Sequence, residues 1–144
     1  MPRIFRAMAV DGQLPLIGPS RDALGVVFGE PPTGDINIDN AGLVRARTGG
    51  MSVAPEWRKL PHHRIPKRLR AIFPRASGSN RYVCWSWGDG PFQDASLTNV
   101  LVLRIDSPNH GLVEPAADMS ADDYQTAIAQ TRSAWTIISE DDLK

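Results

Sequence analysis

Arg6 stands inside an apolar run, Ile4 to Val10, and further along the chain Thr48-Gly49-Gly50-Met51-Ser52 sets two glycines between hydroxyl residues. A guanidinium presents five donors in a fixed fork that suits a phosphate or diphosphate. Gly49 and Gly50 lack side chains and permit positive φ, so a ligand can approach backbone amides, while Thr48 and Ser52 add hydroxyls. Together these residues describe a site for a phosphate-bearing small molecule. Each has a plainer reading as well: Arg6 on the solvent face of an edge strand, and Gly-Gly as an ordinary turn.

A second concentration of chemistry follows. Arg58, Lys59, Arg64, Lys67, Arg68, Arg70 and Arg75 are interleaved with Trp57, His62 and His63. Basic residues among aromatics can grip a single-stranded backbone and stack its bases. A protein with an acidic face fits the same charges. Arg58, His63, Arg64, Lys67 and Arg68 are therefore candidates for partner contact. A nuclease using His62 or His63 would need an arranged acid and base pair, which the spacing does not supply.

Several classes are removed by what the sequence lacks. It contains no Gly-rich loop ending in Gly-Lys-Ser/Thr, no Gly-x-Gly-x-x-Gly, no Gly-x-Ser-x-Gly and no His-Glu-x-x-His. One cysteine and three histidines, two of them adjacent, argue against zinc, so no metal is expected. Cys84 alone cannot close an intramolecular disulfide, and it reads as packing rather than as a nucleophile.

The elements that must position these residues are short. Ile4 to Val10 reads as a strand closed by Asp11-Gly12, and Ser20 opens one helical turn over Arg21 to Leu24. Two short strands are expected around Asn40-Ala41-Gly42, and another from Met51 to Val53, ended by Pro55. Pro66 opens a short helix with Leu69, Ile72 and Phe73 on one side. "RYVCWSW" alternates, with Val83, Trp85 and Trp87 on a core face and Tyr82, Cys84 and Ser86 on the other. Asn99 to Ile105 reads as a central strand, and His110 to Glu114 as one more. The clearest helix starts at Met119-Ser120. Ser120 caps it, Asp123 completes a capping box, and Tyr124, Ala127, Ile128, Thr131 and Trp135 share a stripe. "WTII" reads as a strand or packed tail, and residues 139–144 as frayed.

A chain of 144 residues fits one domain, 1–144, able to fold without a metal or disulfide staple. The 12 glycines and 12 prolines favour short strands and irregular connections over a helical bundle. The class expected from the residues is α+β. Formal charge is zero, which argues against whole-molecule attraction to nucleic acid or membrane, but ten of the sixteen Lys and Arg fall between Arg45 and Arg81, where Glu56 is the sole acid. From Asp118 onward six acids face Arg132 and Lys144. No apolar run is long enough to span a membrane, and the start lacks a secretory leader. A cytoplasmic protein is expected, with any delivery into another cell by a leaderless route.

An Arg-Ala pair in an opening strand, then "DNAGLVRARTGGMSV", then "HGLVEPAADMSADDYQTAIAQTRSAW" resemble the small cytotoxic effectors of the type VI secretion system with an ADP-ribosyltransferase-like fold. The Gly-Gly-x-Ser-Val element is the most specific of these anchors. The resemblance implies a compact mixed domain whose short strands form a split sheet with a C-terminal helix. It also implies a toxin that uses NAD, transferring ADP-ribose to a macromolecule or hydrolysing NAD. On that basis Arg6, Ser52 and Glu114 take catalytic positions. Arg6, Thr48, Gly49, Gly50, Ser52, Tyr82 and His110 take cofactor-binding ones. Met51 departs from the Thr of the family, and Glu114 stands where the toxins are apolar and broader ADP-ribosyltransferases place a glutamate beside the nicotinamide ribose. Tyr82, Trp85 and Trp87 are the aromatic candidates for stacking nicotinamide. A cognate immunity protein is the implied partner. The residues alone leave a second function open, a non-enzymatic basic domain binding nucleic acid or an acidic protein through residues 57–81.

Overall fold

In a computed structural model that describes residues 1–143, the alternation of the first run decides the architecture. β1 (Ile4–Asp11) turns Ile4 and Met8 into one apolar cluster and Phe5 and Ala7 into another, so both of its faces are covered. After β2 (Leu14–Pro15), β3 (Leu43–Val44) and β4 (Met51–Val53), the antiparallel partner of β1 arrives as β5 (Tyr82–Trp87). The expected division holds there: Trp85 is buried in the main core with Val83 and Trp87 packed on it, while Cys84 and Tyr82 face the second cluster.

β6 (Ala95–Ser96), β7 (Leu101–Ser107) and β8 (His110–Pro115) form an antiparallel sheet with β4 in the order β4-β8-β7-β6. The other four-stranded sheet is ordered β10-β5-β1-β2, where β10 is Thr136–Ile137. β3 pairs with β9 (Met119–Ser120) as a separate ribbon. The two larger sheets touch where Phe5 and Ala54 exchange reciprocal backbone hydrogen bonds of 2.9 Å. Arg6 follows that junction directly. The domain is thus α+β, built of antiparallel sheets with a single α-helix near the C-terminus among the described residues.

That helix, α1 (Ala121–Ala129), begins as its sequence dictates, with the Ser120 hydroxyl accepting from the Asp123 amide at 3.1 Å. It ends before Thr131 because the Thr131 hydroxyl donates back to the Ile128 carbonyl and a 3₁₀ turn follows at Arg132–Ala134. Thr131 and Trp135 are nevertheless buried, joined by a Trp135 Nε1 to Thr131 Oγ1 hydrogen bond of 3.0 Å.

Other expectations shift. The helix from Pro66 is a three-residue 3₁₀ turn, Lys67–Leu69, one of three such turns separated by prolines, with Trp57–Lys59 and His62–Arg64 before it. Pro61, Pro66 and Pro74 leave too few consecutive residues for a stable helix. Leu69 still turns inward as the pattern required. Of the two strands around Asn40-Ala41-Gly42, the second forms as Leu43–Val44. Asn99 and Val100 stay outside β7 because the Thr98 hydroxyl accepts from the Val100 and Leu101 amides and makes a turn there. The tail is packed rather than frayed through residue 143: Glu140–Leu143 form a 3₁₀ turn, and Leu143 is buried in the second cluster.

Candidate functional site

A cleft of about 620 Å³ opens where the two sheets meet. Arg6 and Ala7 of β1, Ser52 and Val53 of β4, and Leu112 and His110 of β8 contribute to its sheet side, with Arg104 of β7 beside them. Leu60, Pro61, His63 and Arg64 contribute from the turns of residues 57–64, and Arg21, Pro31, Pro32, Gly34 and Asp35 from the early loop. Register explains the sheet side: Ser52 pairs with Leu112, which pairs with Arg104. Side chains opposite one another across strands point to the same face.

Arg6 is 6% exposed and points from the main-core face of β1. Its Nε and Nη2 donate to the Ala23 carbonyl at 3.2 and 3.0 Å, Nη2 also reaches the Gly25 and Arg21 carbonyls, and Nη1 donates to the Ser52 carbonyl at 2.7 Å. Four backbone oxygens thus take the fork expected to hold a diphosphate. Burial pulls the guanidinium down to about 10, opposed by the Asp35 carboxylate, so it remains protonated at neutral pH. Its charge reaches the cleft, while its geometry ties β1 to β4 and the 21–25 loop.

The glycines also serve packing. A Cβ on Gly50 would lie 2.3 Å from the Val113 carbonyl oxygen, and one on Gly49, at φ 144°, 2.2 Å from that of Asp35. The Gly50 amide donates to Asp35 O and the Met51 amide to the Tyr124 hydroxyl, which in turn donates to Val113 O. Burial raises the Tyr124 pKa, keeping it a neutral donor. These amides are engaged by protein rather than open to a ligand. The Thr48 hydroxyl donates to Arg45 O. Ser52, half-buried on the cleft face, is the hydroxyl of this segment without a hydrogen-bond partner among the described residues.

Glu114 shares its strand face with His110 and Leu112 but is fully buried and absent from the cleft lining. Arg104 closes on it through a bidentate pair, Nε to Oε1 at 2.8 Å and Nη2 to Oε2 at 2.7 Å. Both carboxylate oxygens are therefore engaged, and this hydrogen bonding raises the Arg104 pKa. Tyr82 lies outside the lining as well. Its hydroxyl donates to Asp22 Oδ1 at 2.6 Å, and its ring meets Arg64 at 5.5 Å. Trp85 and Trp87 are core residues, so none of the three aromatic candidates faces the cleft.

Two carboxylates that sequence reasoning did not single out do line it. Asp35 accepts from Arg21 Nε at 3.3 Å and from the Val27 amide at 2.8 Å. Asp106 sits 2.7 Å from His110 Nδ1 across the β7–β8 turn. In the neutral tautomer that donates from Nδ1 to this carboxylate, Nε2 of His110 is the acceptor nitrogen. Their four-residue separation, Asp-Ser-Pro-Asn-His, was the available signal. Among the described residues no cluster of His, Cys, Asp and Glu could hold a metal.

The basic candidates divide. Arg64 pairs with Asp22, and Arg68 pairs with Glu140 while donating to the carbonyls of Asn80 and Tyr82. Arg58 lies over the Trp57 ring at 4.8 Å, and Lys67 and His63 are exposed. Among the described residues no helix is long and apolar enough to cross a membrane. The chain matches no protein-family model and no curated protein.

Proposed function

We propose that the cleft binds NAD and that the protein cleaves the bond between nicotinamide and ribose, passing ADP-ribose to a macromolecule or to water. One observation carries this reading: Arg6, Thr48 to Gly50, Ser52 and His110, separated widely in sequence, line a single cleft. Its volume suits a small-molecule site. Cationic side chains on the turn side, Lys59 and Arg64, supply attraction for a diphosphate. Asp35 and Asp106 supply negative charge where an oxocarbenium-like state would need it. The oriented His110 is placed to take the proton of an attacking hydroxyl or amine. In this reading Glu114 holds Arg104 in position rather than touching the ribose. The fold is that of an ADP-ribosyltransferase-like cytotoxin, and the partner is an immunity protein covering the cleft.

Calorimetry with NAD and assay of nicotinamide release test it, comparing wild type with Ser52→Ala, Asp106→Asn and His110→Gln. Nicotinamide release is expected to fall by ~100-fold in His110→Gln, the range of a lost general base. Folded wild-type protein with no saturable NAD binding would sink the proposal.

A further inference from the structure

The positive side chains sort by whether they meet a carboxylate. Arg21, Arg45, Arg64, Arg68, Arg104 and Arg132 do. Arg3, Arg6, Arg47, Arg58, Lys59, Lys67, Arg70, Arg75 and Arg81 have no such partner among the described residues, and of these Arg58, Lys59 and Arg75 gather with His62 and His63 around a second concavity of about 810 Å³. No Asp or Glu lines it. Phe73 contributes an aromatic surface, edge-on to His62 at 5.3 Å. Lys59, Leu60, Pro61 and His63 line both this groove and the cleft, so the two adjoin across these residues.

We propose that this groove holds the backbone of a single-stranded nucleic acid and, resting on the NAD reading above, that this strand is the acceptor of the ADP-ribosyl group. Clustered cations without internal counter-charges are a standing attraction for phosphates. Aromatic and imidazole rings beside them offer faces on which splayed bases stack. No helix is suited to reading a duplex, since α1, the one α-helix described, contains neither Lys nor Arg. An acidic protein would answer the charge but leaves the ring-bearing concavity without a role.

The reaction balances without an added reagent. The bond from ribose C1′ to the nicotinamide nitrogen breaks, and its electron pair neutralises the pyridinium as nicotinamide leaves. A lone pair on a nitrogen or oxygen of the strand forms the new bond to C1′, and the proton of that nucleophile passes to His110 and then to solvent.

Fluorescent oligomers of about 12 nucleotides, dT and U, test the groove by anisotropy across a salt series. Binding is expected to weaken steeply with salt, by about 3-fold to 10-fold in Arg75→Glu and by more than about 10-fold in Arg58→Glu/Arg75→Glu, with a shallower salt slope. The single variant guards against misfolding, since the exposed Arg75 has no side-chain hydrogen bond or ion pair among the described residues. NAD labelled in its adenylate half should transfer label to the bound oligomer. Absent oligomer binding in a protein that still releases nicotinamide overturns the groove assignment and the acceptor role, and leaves the NAD reading standing. Oligomer binding in a protein that binds no NAD overturns the NAD reading and the acceptor role with it. Poly-glutamate displacing the strand at equal charge, with the same sensitivity to Arg75→Glu, assigns the groove to an acidic protein instead.

Discussion

On the sheet side of the cleft, Ser52, Leu112 and Arg104 stand in register across three strands, held by ladder hydrogen bonds. On the opposite side, Leu60, Pro61, His63 and Arg64 come from single 3₁₀ turns that no ladder supports. That side is tied by isolated backbone hydrogen bonds, Ser77 N to His62 O, Gly78 N to Ile65 O and Lys67 N to Gly78 O, and by side chains: Arg68 reaches the Asn80 and Tyr82 carbonyls, Arg70 the Ala76 carbonyl, and Arg64 joins Asp22 to the Tyr82 hydroxyl. Beneath it Trp57, Leu60, Ile65 and Leu69 make a smaller core against Phe5, Ala7 and Cys84. The difference separates a rigid wall, whose failure is global unfolding, from one able to open locally.

Breaking the rigid wall should cost most. Arg6→Ala strips hydrogen bonds from four buried or half-buried carbonyls and is expected to destabilise by about 4 kcal/mol. Thermal unfolding should fall by about 10 °C or more. A variant that melts with wild type would show that the fork is dispensable to the fold and free for a ligand. Glu114→Gln is next, at about 2 kcal/mol, because Arg104 is partly solvated and keeps one acceptor. Urea titration checks it. Unchanged stability with lost nicotinamide release would return Glu114 to the reacting centre.

Smaller again is Tyr124→Phe, which removes the hydroxyl linking Met51 N to Val113 O. About 1.5 kcal/mol of destabilisation is expected by the same titration. On the turn side, the Tyr82 hydroxyl and then Arg64 hold the Asp22 carboxyl below its ordinary value. A depressed folded-state pKa gives stability that is complete above the ordinary value near about pH 4 and is lost as pH falls through the folded one. Asp22→Asn should therefore flatten the acid limb of the stability profile below about pH 4. Hydrogen exchange should quicken in residues 57–81 with little change in the sheets; equal acceleration in β1 and β5 would erase the distinction between the walls.

The same distinction decides what the sequence disclosed. β1, β4, β5 and β8 were legible because their apolar patterns are local and ladders extend them in register. So was the Ser120 cap. The turns between Pro61 and Pro74 were not, since a helical stripe at Leu69, Ile72 and Phe73 looks the same whether the backbone completes an α-turn or a 3₁₀ one. At the site, Arg6, Ser52 and His110, named together by the resemblance, line one cleft. Their hydrogen-bond partners did not show: nothing local to Arg6 announces that Ala23, Gly25 and Ser52 will turn carbonyls toward it. Glu114 was expected at a ribose, and the Arg104 that covers it lies ten positions earlier, legible only once β7 and β8 are paired.

Cys84, the single cysteine, is 3% exposed on the face of β5 turned to the second cluster, and burial pushes its thiol up to about 11. In the closed protein it is nearly inert to alkylation. It therefore acts as a built-in clock for opening: the rate at which a thiol reagent marks it, set against the rate of complete unfolding, reports how often the turn-built wall lifts from the sheet, with no probe introduced into the molecule.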